Sequence, residues 1–104
     1  MSGKITKADI IDSLYEKTTV SKKDIHLIID GLFDEIKAAI LQRHIVELRG
    51  FGTFEVKTRK GKSHARNPKT GEQVSVPDHG VASFRPGREL KLEAWKILSN
   101  SGDE

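Results

Sequence analysis

At 104 residues and 36% hydrophobic side chains, the chain has material for one small domain with a limited core. It contains no cysteine, which excludes disulfides and thiolate metal sites, and no apolar run near the roughly eighteen residues of a membrane span. The formal net charge is only +3, so any preference for an anionic partner has to lie in how the charge is distributed.

The opening Met1-Ser2-Gly3-Lys4 lacks the apolar stretch of a signal peptide, and a cytoplasmic chain is expected. Thr6-Lys7-Ala8-Asp9 has capping-box spacing, with Asp in place of the usual Glu. The helix it opens buries Ile10, Ile11 and Leu14 and fades at Thr18-Thr19. Ser21 and Asp24 repeat the start signal. Behind them Ile25, Ile28, Ile29, Leu32, Phe33, Ile36 and Ile40 recur at helical spacing, which predicts a long second helix and a helical hairpin over residues 6–42. Gly31 inside that helix costs about 1 kcal/mol against Ala; it either admits a close helix contact or is simply tolerated.

From Ile45 the period changes to that of strands. Ile45–Arg49 leads into the turn Gly50-Phe51-Gly52, followed by a strand over Thr53–Val56 that continues through Lys60 without an apolar face. Asn67-Pro68-Lys69-Thr70-Gly71 is a run of turn formers, after which Gln73–Val76 alternates again. A further strand over Val81–Phe84 precedes Pro86-Gly87, then a short helix carries Leu90, Ala94, Trp95 and Ile97. A polar, acidic tail over 98–104 is expected to be flexible. The fold class is therefore α+β: a helical hairpin, a three-stranded antiparallel sheet with a protruding ribbon, and a C-terminal helix.

Charge is balanced up to Arg49, with eight basic and eight acidic side chains. Lys57, Arg59, Lys60, Lys62, Arg66 and Lys69 then follow with no acid among them, an electrostatic footprint for phosphate groups. The ribbon that carries them, about residues 56–77, is too polar in its outer half for a core, and a lone two-stranded ribbon is marginal in water. Its outgoing strand would reach about 40 Å at strand rise. Such an arm is expected to order on binding.

Gly50-Phe51-Gly52-Thr53-Phe54, then Ala65-Arg66-Asn67-Pro68-Lys69-Thr70-Gly71-Glu72, then Phe84-Arg85-Pro86-Gly87-Arg88-Glu89-Leu90-Lys91, resemble in order and spacing the HU / integration host factor family of bacterial histone-like DNA-bending proteins. The resemblance covers about residues 4–96. It implies an intertwined dimer, either a homodimer or a heterodimer with a paralogous subunit, acting on double-stranded DNA in the nucleoid, with no cofactor and no metal. It implies that Pro68 is an intercalating wedge at the arm tip, a rigid apolar ring with no N–H to satisfy; the alternative is an ordinary turn proline. Lys57, Arg59, Lys60, Lys62, Arg66, Asn67 and Lys69 would follow the minor groove, whose acceptor pattern is degenerate and specifies little; bent or distorted DNA would be favoured because part of the deformation is already present. On the body, Lys7, Lys22, Arg49, Arg85, Arg88 and Lys91 would touch DNA, and Phe51, Phe54, Phe84 and Leu90 would form the dimer core.

Two features are similar to the sequence-preferring branch. Phe84-Arg85-Pro86-Gly87 matches integration host factor subunits, where HU chains commonly carry a small residue before the glycine. Glu47-Leu48-Arg49 resembles a subunit type in which an acid and an arginine reach toward DNA, so Arg49 would read a narrow minor groove by shape. The alternative for Glu47 and Arg49 is a surface ion pair of little consequence. Ala65 stands where many members have glycine. The branch, HU-like or integration-host-factor-like, stays open at this point.

Other function classes fit poorly. Gly61-Lys62-Ser63 resembles the end of a phosphate-binding loop, but Val56 stands where its first glycine belongs. His26, His44, His64 and His79 are scattered, Asp78-His79 is a thin donor set for a metal, and no nucleophile and base share a motif. An enzyme is therefore not expected. A single-strand binder would interleave aromatics with the basic residues, yet no Phe, Tyr or Trp lies between Glu55 and Val81. A membrane-surface protein would need a basic amphipathic helix, whereas the basic run here is a ribbon.

Overall fold

The computed structural model describes residues 3–101, and of 63–65, 74 and 99–101 it describes the backbone. The chain forms two compact units that divide between Ala38 and Ala39. The first holds α1 (Lys7–Lys17) and most of α2 (Lys22–Leu41). At the start of α1 the capping box is complete: Thr6 Oγ1 accepts from the Asp9 amide at 3.3 Å, and an Asp9 carboxylate oxygen accepts from the Thr6 amide at 3.0 Å. The helix stops where Thr18 turns to extended backbone, its hydroxyl donating to the Leu14 carbonyl at 2.8 Å. Ser21 caps α2 through its hydroxyl, which accepts from the Asp24 amide at 3.1 Å.

Ile11 and Ile25, 3% and 6% exposed, are the two buried hydrophobic side chains among the described residues. Two ion pairs tie the helices together, Lys7–Asp30 at 2.6 Å and Lys22–Asp12 at 3.1 Å. A side chain added at Gly31 would meet nothing within 4 Å, so within one chain this glycine admits no close contact. The stripe on α2 predicted to be core is only partly covered: Ile25 is buried and Ile29, Ile36 and Ile40 half-buried, while Ile28, Leu32 and Phe33 are 65%, 45% and 42% exposed. No helix among the described residues is long and apolar enough to cross a membrane.

The second unit begins with the end of α2. Gln42 and Arg43 close the helix, and the amides of Arg43 and His44 donate to the carbonyls of Ile40 and Ala39 at 3.0 Å. Arg43 adopts a left-handed φ of 67°, the conformation this type of helix end requires and glycine prefers. Then come β1 (Val46–Leu48), β2 (Gly52–Arg59), β3 (Lys62–Arg66), β4 (Gln73–Val76), β5 (His79–Pro86) and α3 (Arg88–Ser101). Strands β1, β2 and β5 form an antiparallel sheet in the order β1-β2-β5, while β3 and β4 pair separately.

Three boundaries differ from the sequence expectation. The outgoing strand is broken after Arg59, and β2 up to that residue pairs with β5, Arg59 opposite His79. The ribbon expected over 56–77 is thus two ladders in series. β5 starts at His79, two residues before the apolar alternation that marks only its covered part. α3 continues to Ser101, into the stretch assigned to the tail, because no Gly or Pro interrupts it before Gly102. Residues 102–104 of that tail lie outside the described residues.

Candidate nucleic-acid interface

The tip of the β3–β4 ribbon is built by Asn67. Its side-chain oxygen accepts from the Lys69 amide at 2.9 Å, and its carbonyl accepts from the Gly71 amide at 2.7 Å. The Asn67 amide in turn donates to the Glu72 carbonyl at 2.8 Å, and Gly71 takes a φ of +75° that a side chain would oppose. Thr70 adds a hydroxyl that accepts from the Glu72 amide at 3.2 Å. This side-chain-templated turn holds Pro68 at the exposed end of the ribbon.

Around the tip, the residues singled out from the sequence divide into two groups. Lys57, Arg59, Lys60, Lys62 and Lys69 are exposed and make no ion pair among the described residues. Arg66 and Asn67 do more than face outward. Arg66 donates from its guanidinium to the Gly71 carbonyl at 2.8 Å, bracing the turn, and the Asn67 oxygen is engaged within it.

At the base of the ribbon the two strands cross closely. A Cβ at Gly61 would collide with the Val76 carbonyl oxygen and the Pro77 backbone. The Gly61 amide donates to the Asp78 carboxylate at 2.7 Å, and the His79 ring nitrogen Nδ1 lies 2.9 Å from the Pro77 carbonyl. Asp78, weighed in the sequence only as a thin metal ligand, is here a backbone acceptor. The signal that could have found it is an acid standing alone between Glu72 and Glu89. Among the described residues no three His, Asp or Glu side chains gather as a metal site.

On the sheet, Arg49 lies in a tight turn closed by the Phe51 amide donating to the Leu48 carbonyl at 2.9 Å, with Gly50 at a φ of +84°. The Glu47–Arg49 ion pair is absent among the described residues, and both side chains are open to solvent. Arg85 instead pairs with Glu55 at 3.4 Å across β2 and β5. Arg88 and Lys91 stand exposed in the first turn of α3. That helix end is pinned by Gly87, whose amide donates to the Phe51 carbonyl at 2.8 Å and whose carbonyl accepts from the Lys91 amide at 2.9 Å. The first-turn amides have no intrahelical acceptor and favour an anion.

Phe51, Phe54 and Phe84 form one cluster, with ring centroids 4.8 to 6.2 Å apart. Gly52 is indispensable beside it, since a Cβ there would come within 2.5 Å of the Phe84 ring and of the Arg85 carbonyl. The cluster is half covered: Phe51 is 48% and Phe84 40% exposed, and Leu90 is 36% exposed.

In the helical unit, Lys7 and Lys22 are committed to Asp30 and Asp12, and Lys22 also lies 5.3 Å from the centre of the Tyr15 ring. Asp30 further faces His26 at 3.0 Å. Its carboxyl is held below its ordinary value of 3.8, chiefly by the hydrogen bond from Lys7.

A family model described as "Bacterial DNA-binding protein" matches residues 5–94. The integration host factor subunit alpha of Marinomonas sp. (strain MWYL1) is 42% identical over 89 residues, 86% of this chain and 90% of that protein. Its counterpart in Nitrosococcus oceani is 40% identical over 88% of this chain and 93% of that one. Among solved structures, a cocrystal of Anabaena HU with DNA superposes with a TM-score of 0.79 at 31% identity, covering 86% of this chain and 97% of that one. A point mutant of HU from Thermotoga maritima gives 0.65 at 28% identity, over 86% and 99% of the two chains.

Proposed function

Because the chain belongs to the HU / integration host factor family of bacterial histone-like DNA-binding proteins, whose members are architectural proteins and not enzymes, we propose that it works as one half of a dimer that bends double-stranded DNA. The two ribbons enter the minor groove, and the two Pro68 rings wedge into base steps. Partial unstacking costs a few kcal/mol per step, offset by the longer DNA path that bending brings against the basic body. The observation that carries this reading is the tip itself. An exposed proline is held by an Asn67-templated turn at the end of a ribbon whose lysines, Lys62 and Lys69, make no ion pair among the described residues.

The division of labour among the cations follows from their partners. Lys57, Arg59, Lys60, Lys62 and Lys69 meet phosphates along the arm, while Arg66 both braces the tip and presents charge beside it. Arg88, Lys91 and the α3 amides hold phosphate on the body, with Arg85 tethered by Glu55. Lys7 and Lys22 contribute after, or while keeping, their carboxylate partners. Phe51, Phe54, Phe84 and Leu90, half covered in one chain, lie in the seam between subunits. The partner is a second copy or a paralogous subunit, and the site of action is the nucleoid.

Within the family, the sequence-preferring branch is favoured by the identity of 42% to an integration host factor alpha subunit, by Phe84-Arg85-Pro86-Gly87, and by a free Arg49 at a turn. The test is affinity and bending of the purified protein on random and on selected duplexes at one fixed salt concentration. Selected sites bound about a thousandfold tighter or more establish a sequence-preferring bender. Binding within a few-fold on every duplex makes it a general packaging protein and removes Arg49 from site reading. No bending of any duplex refutes the proposal.

A further inference from the structure

The gap between the two ladders of the arm holds Lys60 and Gly61 on the outgoing side and Pro77 and Asp78 on the returning side. Pro77 has no N–H to donate, so the ladder cannot run through. In its place a side chain supplies the acceptor: the Asp78 carboxylate takes the Gly61 amide at 2.7 Å, short as charge-assisted bonds are. The backbones cross so closely that only glycine fits at position 61. The His79 ring lies 2.9 Å from the Pro77 carbonyl on the same turn. An acid near a phosphate-binding ribbon opposes binding by its charge. Its presence here therefore calls for a role that needs an acceptor.

We propose that Asp78 is a positioning residue for DNA bending, latching the arm to the three-stranded sheet so that Pro68 meets one defined base step. The inference rests on the reading of Pro68 as a wedge. The lever sets its magnitude. Pro68 lies seven residues beyond Gly61, about 23 Å at strand rise. A slack of about 10° at the gap moves the tip by about 4 Å, more than the roughly 3.4 Å between successive bases. A loose base would thus let the wedge choose between neighbouring steps, and more arm freedom would be lost on binding.

The test uses the full-length protein with Asp78→Ala and Asp78→Asn, measured for Gly61 amide exchange, for duplex affinity and for bend-angle distribution by energy transfer. Asn keeps an acceptor oxygen without the charge. Asp78→Ala should speed Gly61 exchange, weaken duplex binding about fivefold, the share of one net hydrogen bond, and broaden the bend distribution. Asp78→Asn should restore all three toward wild type. Both variants binding tighter by the same factor would show a charge effect alone and overturn the latch, as would an Asp78→Ala indistinguishable from wild type. A Lys62→Ala/Lys69→Ala control separates the two readings. If that pair weakens binding while Asp78→Ala does not, only the latch falls. If neither matters, the arm is not the DNA-binding element and both fall.

Discussion

Gly52 has its φ in an ordinary region, yet its hydrogen is the only substituent the Phe84 ring and the Arg85 carbonyl leave room for. Because one of those neighbours is backbone, Gly52→Ala should destabilise by about 2–3 kcal/mol, as overpacking does, read as a lower urea midpoint. Pro68 is the opposite case, exposed and free of packing. Pro68→Ala should leave stability unchanged and reduce the bend angle on intact duplex more than the affinity for prebent duplex. An unchanged bend in an energy-transfer assay removes the wedge. Two carboxylates respond to acid. Asp9 is held below its ordinary value of 3.8 by the Thr6 amide and then the Thr6 hydroxyl, and Asp30 by Lys7. Since the folded values are the lower ones, the stabilisation is complete above the ordinary value and disappears as pH falls through the folded one. Urea midpoints should drop across that acid range, and less so in Asp9→Asn/Asp30→Asn. Residue type was legible throughout, and residue partnership was not. Nothing local in the sequence marks Lys7 and Lys22 as ion-paired and Lys60 and Lys62 as free, because the partners Asp30 and Asp12 arrive only when the helices pack.

Among the elements, α1 and α2 were readable because capping chemistry and a 3.6-residue apolar period are both local signals. The end of α2 carries no such signal. Its left-handed residue is Arg43, with φ 67°, where glycine would announce the stop. Arg43→Gly should raise stability by about 0.5–1 kcal/mol by relieving that conformation, measured by chemical denaturation. A loss of stability would mean the arginine side chain contributes more than its backbone gives up. The arm was legible from the disappearance of its apolar face, and its tip from Asn67-Pro68. The break at Lys60-Gly61 was not, since a polar strand that changes partner from β5 to β4 has the same composition on either side of the change.

As a whole, one chain leaves many large hydrophobic side chains open among its described residues. Much of the exposed surface is apolar: Leu27, Ile28, Leu41, Ile45, Ile97 and Leu98 are each at least 65% exposed. Patches of this kind are covered in obligate dimers. The melting temperature should therefore rise with protein concentration, with sedimentation equilibrium giving twice the chain mass; a monomer with a concentration-independent transition contradicts the dimer. Lys57, Arg59, Lys60, Lys62, Lys69, Arg49, Arg88 and Lys91 are the cations argued for DNA that make no ion pair among the described residues, doubled in a dimer. If half of the doubled set reach phosphate, the logarithm of affinity should fall against log salt with a slope of about −7. A slope near zero would exclude the electrostatic account. A chain with only Ile11 and Ile25 buried among its described hydrophobic residues also has little to keep it intact alone. A newly synthesised subunit that finds no mate is a ready substrate for proteases and chaperones. With a second copy as mate, turnover of the orphan would set a threshold concentration for assembly; with a paralogous mate, the scarcer subunit would set the level, so that in either case assembly itself meters how much DNA is bent.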